Sequence, residues 1–511
     1  MDKNTRTFVN VLAQYVRTII NICLSLYSTR LVLQALGKSD YGLFMLVGGV
    51  VAMLSFLTNA MVITTQRHLS FYYGKGDKKI VKSFFANSLV LHFGLGALIA
   101  VILFALWPWL VNDILNIEPD RVDVAGDVYV CTLITLFISF MVAPFRGLFI
   151  AKENIVFISI VDVCDGVLKL IFVLMLITWD VDKLQVYAML LTLIMFLNFF
   201  AFTIYGKIKY DECVLWPKRK DIKWSFMSRM FSFAGWTTYS TACIIGRNQG
   251  VAVVLNSFFG TIINSAYGIA MQVGGAVQFV SQSILNAMSP RVIKAEGSGD
   301  RQLMFQLAGV TSKFTFLMLS MIAVPLIFEM KSVLNFWLGE KDVPEYAVMF
   351  CRCILIAALC DQLTIGLGTA NQAIGKIRNY SLLVNTTKAI TIPVVWFCLH
   401  IGLSVVSTVI GYVTVECVCV LLRLIYMRNT AKLSVVDYSK RVFQKVVIPT
   451  ICLLIVGFIC LNLPDMKFRF LITIGLSVVV DAIVVFFFAL EKNERNVVLN
   501  FMRKCYAKKV I

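Results

Sequence analysis

Apolar runs of about 20 residues recur from one end of the chain to the other, separated by short polar segments. Each run is long enough to cross a hydrocarbon core about 30 Å thick as a helix rising 1.5 Å per residue. The pattern predicts helices over residues 8–36, 41–73, 83–111, 124–145, 155–179, 184–206, 230–257, 261–289, 303–330, 345–374, 379–400, 403–427, 443–462 and 467–490. That is about fourteen crossings. The first run is too long and too polar for a signal peptide and has no small-residue cleavage motif, so it is read as the first crossing. No interval between runs can hold a soluble domain. The expected fold class is therefore an all-α polytopic membrane protein.

Composition agrees, with 59% hydrophobic and 15% charged residues among 511. A net charge of +18 raises the question of nucleic acid, which the placement of the basic residues answers. With the N-terminus inside, the cytoplasmic segments carry Lys75, Lys78, Lys79 and Lys82, then Arg146 and Lys152. Lys207, Lys209, Lys218, Arg219, Lys220 and Lys223 follow, then Lys440, Arg441 and Lys445, and the tail residues Arg503, Lys504, Lys508 and Lys509. The opposite segments are poor in Lys and Arg; Asn112 to Asp123 has only Arg121. The split, roughly thirty inside against about seven outside, is that of an even number of crossings under the positive-inside rule. Basic charge here encodes topology, with both termini cytoplasmic, and the expected partners exclude nucleic acid. The fourteen cysteines fall almost entirely within apolar runs and form no C-x-x-C pair, so no metal site, disulfide framework or cofactor is expected.

The halves repeat one another. Tyr41-Gly42-Leu43-Phe44-Met45-Leu46-Val47-Gly48-Gly49-Val50-Val51 returns as Tyr267-Gly268-Ile269-Ala270-Met271-Gln272-Val273-Gly274-Gly275-Ala276-Val277. A Gly-x-Gly-Asp turn follows each, Gly74 to Asp77 and Gly297 to Asp300, and Val32-Leu33 before Gly37 is echoed by Val254-Leu255 before Gly260. Segments two and eight run the same way through the membrane, so the repeats are parallel, and a substrate path is expected between them. The expected organisation is a six-helix lobe over 1–206, a cytoplasmic linker over 207–229, a second six-helix lobe over 230–428, and two extra helices with a basic tail over 429–511. The Gly48-Gly49 and Gly274-Gly275 pairs are read as close helix packing.

Ionised side chains at bilayer depth cost several kcal/mol and must face a cavity, a partner or an interface. Segment one carries Gln14, Arg17, Asn21, Ser25 and Ser28 within about 80° of arc, and segment seven carries Thr237, Ser240, Thr241, Arg247 and Asn248 over a similar arc. Each lobe thus presents a polar stripe with an arginine, read as facing water or substrate. Lys169, Lys313, Arg352 and Lys388 lie deep. Arg30 is placed for an ion pair or a lumen role, and Arg67 and Arg423 are read as snorkelling from inner ends. The deep acids are Asp162, Asp165, Asp361, Glu416 and Asp481, the last read as structural. Asp162, Asp165 and Lys169 share a face and form either a self-neutralising cluster or a proton- or cation-coupling site. The cationic excess favours an anionic cargo. Arginine forks suit phosphate oxygens, and amides and hydroxyls suit sugars. Arg17, Asn21, Arg30, Arg247, Asn248, Lys313 and Lys388 are the candidates for meeting such a cargo, and Asp162, Asp165, Asp361 and Glu416 are the candidate coupling groups should the chain be an ion antiporter. Short external loops and unpartnered His68, His92 and His400 argue against a membrane-embedded polymerase or acyltransferase, so the chain is not expected to be an enzyme.

The Arg30-Leu31-Val32-Leu33 approach, the Leu36-Gly37-Lys38-Ser39-Asp40-Tyr41-Gly42-Leu43-Phe44 segment, and the Arg247-to-Tyr267 stretch with Val273-Gly274-Gly275 resemble the polysaccharide transporter branch of the multidrug/oligosaccharidyl-lipid/polysaccharide (MOP) exporter superfamily. The resemblance reaches to about residue 430. It implies a MATE-like pair of six-helix lobes, V-shaped around a central cavity. The implied activity is flipping of undecaprenyl-pyrophosphate-linked repeat units of O-antigen, capsule or exopolysaccharide across the bacterial inner membrane by alternating access. It implies H⁺ or Na⁺ as coupling ion, membrane lipids and a polysaccharide polymerase as partners, and pyrophosphate contacts from Arg17 and Arg247, with Lys313, Lys388 and Arg30 as weaker candidates. The last two segments resemble the pair that frames a lipid-tail groove in the lipid II flippase branch. A multidrug and toxic-compound cation antiporter of the same fold is the alternative.

Overall fold

The computed structural model describes residues 3–52, 54–110, 117, 119–341, 343–462, 464, 468–492 and 494–496. The basic tail at 503–509 and most of the loop at 112–118 lie outside them. Among the described residues there is helix and turn but no strand. In a bilayer this follows from the backbone, because a helix satisfies its own N–H and C=O groups where water is absent.

Helix α1 covers Val9–Gly37. At Gly37 the backbone leaves helical space (φ 78°, ψ 176°), then continues helically over 38–52 into α2, Ser55–Gly74. Then come α3 (Lys78–Trp109), α4 (Val122–Ala151), α5 (Ile155–Thr178) and α6 (Lys183–Lys209). The run Trp224–Gly297 would be about 110 Å long if unbroken, several times a hydrocarbon core. It is interrupted at Gly260 (φ 72°, ψ −165°), which divides it into α7 (224–259) and α8 (261–297). The remainder are α9 (Arg301–Leu338), α10 (Ala347–Gln362 continuing bent as Ile365–Ile374), α11 (Ile377–His400), α12 (Val406–Ala431), α13 (Phe443–Leu461) and α14 (Arg469–Ala489).

Every predicted segment falls on a helix. Ten helical runs among the described residues are long and apolar enough to span a membrane, or eleven with the two parts of α10, bent by 44°, taken as one. The shortfall from fourteen has three sources: α7 and α8 form one run, α2 is rich in Thr, Gln, Arg and His, and α5 carries three charges.

The repeat is reproduced in the backbone. Gly37 and Gly260 take the same positive-φ break, which a side chain would strain. Gly76 (φ 76°) and Gly299 (φ 85°) shape the two Gly-x-Gly-Asp turns. In both turns the Asp caps the next helix, Asp77 accepting from the N–H of Ile80 at 3.0 Å and Asp300 from that of Leu303 at 2.8 Å. The glycine pairs correct the packing expectation in part. A Cβ on Gly274 would lie 2.5 Å from Ile354 Cγ2, whereas Gly48 and Gly275 have open space around them.

Backbone contacts divide the chain at Tyr239, with Phe8–Thr238 forming one unit and the chain from Tyr239 onward the other. In the first, α4 packs against α2, α3 and α6. The stretch after α6 belongs here because Glu212 pairs with Lys152 and Asp221 accepts from Asn87. In the second, α13 and α14 pack on α9. Arg469 grips Glu329 at 2.9 Å, and Lys313 donates to Glu494 at 2.6 Å and to the Ala489 carbonyl at 3.3 Å.

Candidate functional site

Among the described residues, each unit holds a cluster of ion-paired side chains from several helices beside a cavity. In the first, Asn10, Gln14, Arg17 and Asn21 recur at helical spacing on α1. Asn10 Nδ2 donates to the Glu153 carbonyl (2.8 Å), Arg17 Nη1 donates to Asp162 Oδ2 (2.8 Å), and Asn21 Oδ1 lies against Gly166 without a hydrogen-bond partner. The stripe therefore packs along α5 for most of its length. Arg146 takes the other oxygen of Asp162. One turn on, Asp165 accepts from Lys169 Nζ (2.7 Å) and Asn198 Nδ2 (2.9 Å). A cavity of about 390–450 Å³ characterises each cluster; here it is 450 Å³, lined by Arg146, Asp162, Asp165, Lys169 and Asn198 with Asn59, Thr58, Thr135 and Ser139.

In the second unit, the cavity of 390 Å³ is lined by Arg247, Asn248, Gln278, Ser281, Gln282, Asp361, Gln362, Lys388, Tyr412 and Glu416, with Gly274 and Gly275 in its wall. A chain of alternating charge runs beside it. Arg247 Nη1 donates to Glu416 Oε2 (2.8 Å), Lys388 Nζ bridges Glu416 and Asp361 Oδ1 (2.8 Å), and Arg423 Nη2 donates to Asp361 (2.7 Å). The Arg247 guanidinium also lies 4.4 Å from the Tyr412 ring centroid.

Breaks in regular helix position these groups. Asp361 precedes the bend of α10, where backbone carbonyls lose their helical donors. Arg423 Nη1 donates to the Asp361 carbonyl and Thr364 Oγ1, both at 3.2 Å, and Tyr438 Oη donates to the Leu363 carbonyl at 2.9 Å. Lys388 follows a π-helical turn over Ser381–Asn385, a local unwinding that re-aims the residues after it.

Among the residues expected to bind substrate, Arg17, Arg247, Asn248 and Lys388 join these clusters, and each of the three cations is paired with an expected coupling acid. Arg30 is exposed and makes no ion pair among the described residues. Lys313 is corrected: it is buried against Glu494 and lines neither cavity. Asp162 and Asp165 do not form one self-neutralising set with Lys169, since Asp162 is held by two arginines from other helices.

Two cations escaped the sequence reading. By sequence Arg146 falls in a cytoplasmic segment, but α4 runs through Pro144 to Ala151 and carries it into the cluster. The position of Arg423 predicts snorkelling, yet its side chain is 5% exposed and paired with Asp361. The apolar residues after Pro144 were the available signal for Arg146. A basic residue near an inner end gives none for Arg423.

Outside the membrane, Arg121 joins Asp40 and Asp182, the latter at 2.6 Å, and Asp182 caps α6 through the N–H groups of Leu184 and Gln185. Burial pushes the Asp182 carboxyl up, but these N–H groups and Arg121 prevail and hold it below the usual carboxylate range.

No family model and no curated protein matches the chain. Solved structures do. A MATE transporter in a straight conformation is similar with a TM-score of 0.71 at 15% identity, over 86% of this chain and 98% of that one. A MOP superfamily transporter from Pyrococcus furiosus, described as having a binding pocket of reversed polarity, gives 0.69 at 14% identity over 82% and 95%. The MATE transporter ClbM in complex with Rb⁺ gives 0.68 at 16% identity over 84% and 96%. The chain therefore has the MATE-like fold of the MOP superfamily transporters, and with its many apolar helices it is a multi-pass membrane protein.

Proposed function

We propose that this protein flips undecaprenyl-pyrophosphate-linked oligosaccharide repeat units from the cytoplasmic to the periplasmic leaflet of a bacterial inner membrane, by alternating access. Both termini are cytoplasmic in this reading, and a polysaccharide polymerase takes the product. The observation that carries it is the second unit's cavity, where Arg247 and Lys388 line the wall with Asp361 and Glu416 beside amides and hydroxyls, and Arg423 backs Asp361 from outside the lining. A pyrophosphate takes two guanidinium or ammonium partners where a single carboxylate now sits. Asn248, Gln278, Ser281, Gln282 and Gln362 supply donors and acceptors for sugar hydroxyls.

The pairing supplies a route to coupling. An acid that takes up H⁺ or Na⁺ releases its basic partner, so cation binding at Asp162, Asp361 or Glu416 raises affinity for an anionic cargo at Arg17 or Arg146, or at Lys388 or Arg247. The linkage is reciprocal.

A second reading, a cation antiporter for drugs, draws support from the fold neighbour described as a multidrug resistance MATE family transporter. The pairing of every acid that lines the two cavities opposes it, since a desolvated cationic drug needs unpaired acids.

The test is complementation of glycan export with Arg146→Gln and Arg247→Gln, the amount of inserted protein being measured alongside. Losing a charge-assisted hydrogen bond to cargo should lower export roughly tenfold to a hundredfold. Full export by both variants would reject the anionic-cargo reading.

A further inference from the structure

The segment between α6 and α7 is held at both ends and exposed in the middle. At its start, Glu212 accepts from Lys152 Nζ (2.9 Å), Tyr210 Oη accepts from Asn154 Nδ2 (2.9 Å), and Cys213 is buried against Gly206. Burial pushes the Glu212 carboxyl up, but the Lys152 hydrogen bond prevails and keeps it below the usual carboxylate range, so the clamp is an ion pair at neutral pH. Burial, against the pull of the Lys207 charge and with help from that of Glu212, lifts the neighbouring Cys213 thiol to about 12. At its end, the Asp221 carbonyl accepts from Asn87 Nδ2 (2.8 Å) and Ser83 Oγ (3.1 Å), and the N–H of Lys223 donates to Asn87 Oδ1 (2.7 Å).

Between the clamps Trp216 is 88% exposed, and Ile208 (79%) and Trp224 (78%) flank it. Large apolar groups fixed in the open by a rigid loop call for an apolar neighbour. The same loop bounds a cavity of about 600 Å³ lined by Lys79, Lys82, Lys207 and Lys218, against Asp211 and Asp221. All four lysines are exposed, and none joins an ion pair among the described residues. The N-terminal turn of α3, which carries Lys79, adds its positive dipole end.

The loop joins the ends of α3, α6 and the run that begins at Trp224, all long and apolar enough to span a membrane, and the ends of such helices meet lipid headgroups. Indoles prefer that layer, and lysines there bind lipid phosphate. We propose that residues 207–224 and the start of α3 form a docking site for an anionic phospholipid headgroup. Trp216 and Trp224 embed at the interface, and Lys79, Lys82, Lys207 and Lys218 hold the phosphate. This site is separate from both charge clusters and does not depend on what the protein transports.

The full chain, reconstituted in nanodiscs of phosphatidylcholine with phosphatidylglycerol and then released, should retain phosphatidylglycerol in preference when its bound lipids are counted by native mass spectrometry. Lys→Gln substitutions at 79, 82, 207 and 218 should weaken that preference by about fivefold per lysine. Trp216→Leu should reduce quenching of protein fluorescence by brominated phosphatidylglycerol. Thermal unfolding, unchanged in the variants because the lysines and Trp216 are exposed, separates binding from folding. Equal retention of both lipids by the wild type, or undiminished preference in the four-lysine variant, would overturn the proposal. So would displacement of phosphatidylglycerol by inorganic phosphate alone, which would mark a soluble-anion site.

Discussion

The two charge clusters share the first, fourth and fifth helices of the repeat with their polarity partly exchanged, while the sixth supplies Glu416 and Arg423 in one and the uncharged Asn198 in the other. The first helix of each lobe, α1 or α7, supplies an arginine, Arg17 or Arg247. The fourth supplies Arg146 in one lobe and Asp361 in the other, and the fifth supplies Asp162 and Asp165 against Lys388. Each cluster counts three cations and two acids, so the sum is kept while the sites are reassigned. Hydration separates them. Lys169 and Arg146 are 43% and 32% exposed, whereas Lys388 and Glu416 are 6% and 4%. The first cluster holds cations that water or a ligand can reach. In the second, Glu416 is the shared partner of Arg247 and Lys388, so removing it leaves poorly compensated positive charge in a low-dielectric interior, whereas Glu416 keeps Lys388 if Arg247 is removed.

The largest effect should come from Glu416→Gln, which strips the shared counter-ion from Arg247 and Lys388. A cost of about 3–5 kcal/mol is expected, against about 1 kcal/mol for Asp162→Asn in the wetter cluster. Thermal unfolding of the purified variants compares the two, and equal shifts would erase the distinction. Next is packing. Gly274→Ala drives a methyl against Ile354 and should cost about 1–3 kcal/mol, while Gly48→Ala, its repeat equivalent with open space, should be near neutral.

The smallest effect concerns the loops of the first unit. Asp182 and Glu212 have folded-state values below their unfolded ones. Their contribution is therefore present at neutral pH, above the ordinary carboxylate range, and is lost as acidification passes through the lowered values. Asp182→Asn together with Glu212→Gln should flatten the acid limb of a stability-versus-pH curve while leaving the neutral plateau slightly lower.

What the sequence disclosed and what it withheld follow from the range of each signal. Helices and repeat are local patterns. The equivalence of Gly37 with Gly260, and of the turns ending at Asp77 and Asp300, was legible as spacing and is present as backbone geometry. The polar stripe on α1 was legible as a face, but its neighbour α5 was not, because helical periodicity says which residues point together and not at what. Arg146 and Arg423 were hidden for a related reason: near an inner end, a cation serving topology and a cation bound to a carboxylate look alike in one dimension. Lys313 shows the converse, a deep cation whose partner, Glu494, lies 181 positions away in the chain.

The most direct test of the central claim is flipping by the purified protein in proteoliposomes. A fluorescent lipid pyrophosphate bearing an oligosaccharide would be offered in one set and a lipophilic cationic dye in another. The account predicts protein-dependent translocation of the pyrophosphate lipid, reduced in Arg146→Gln and Arg247→Gln, with the dye unmoved. Transport of the dye without the pyrophosphate lipid would contradict it.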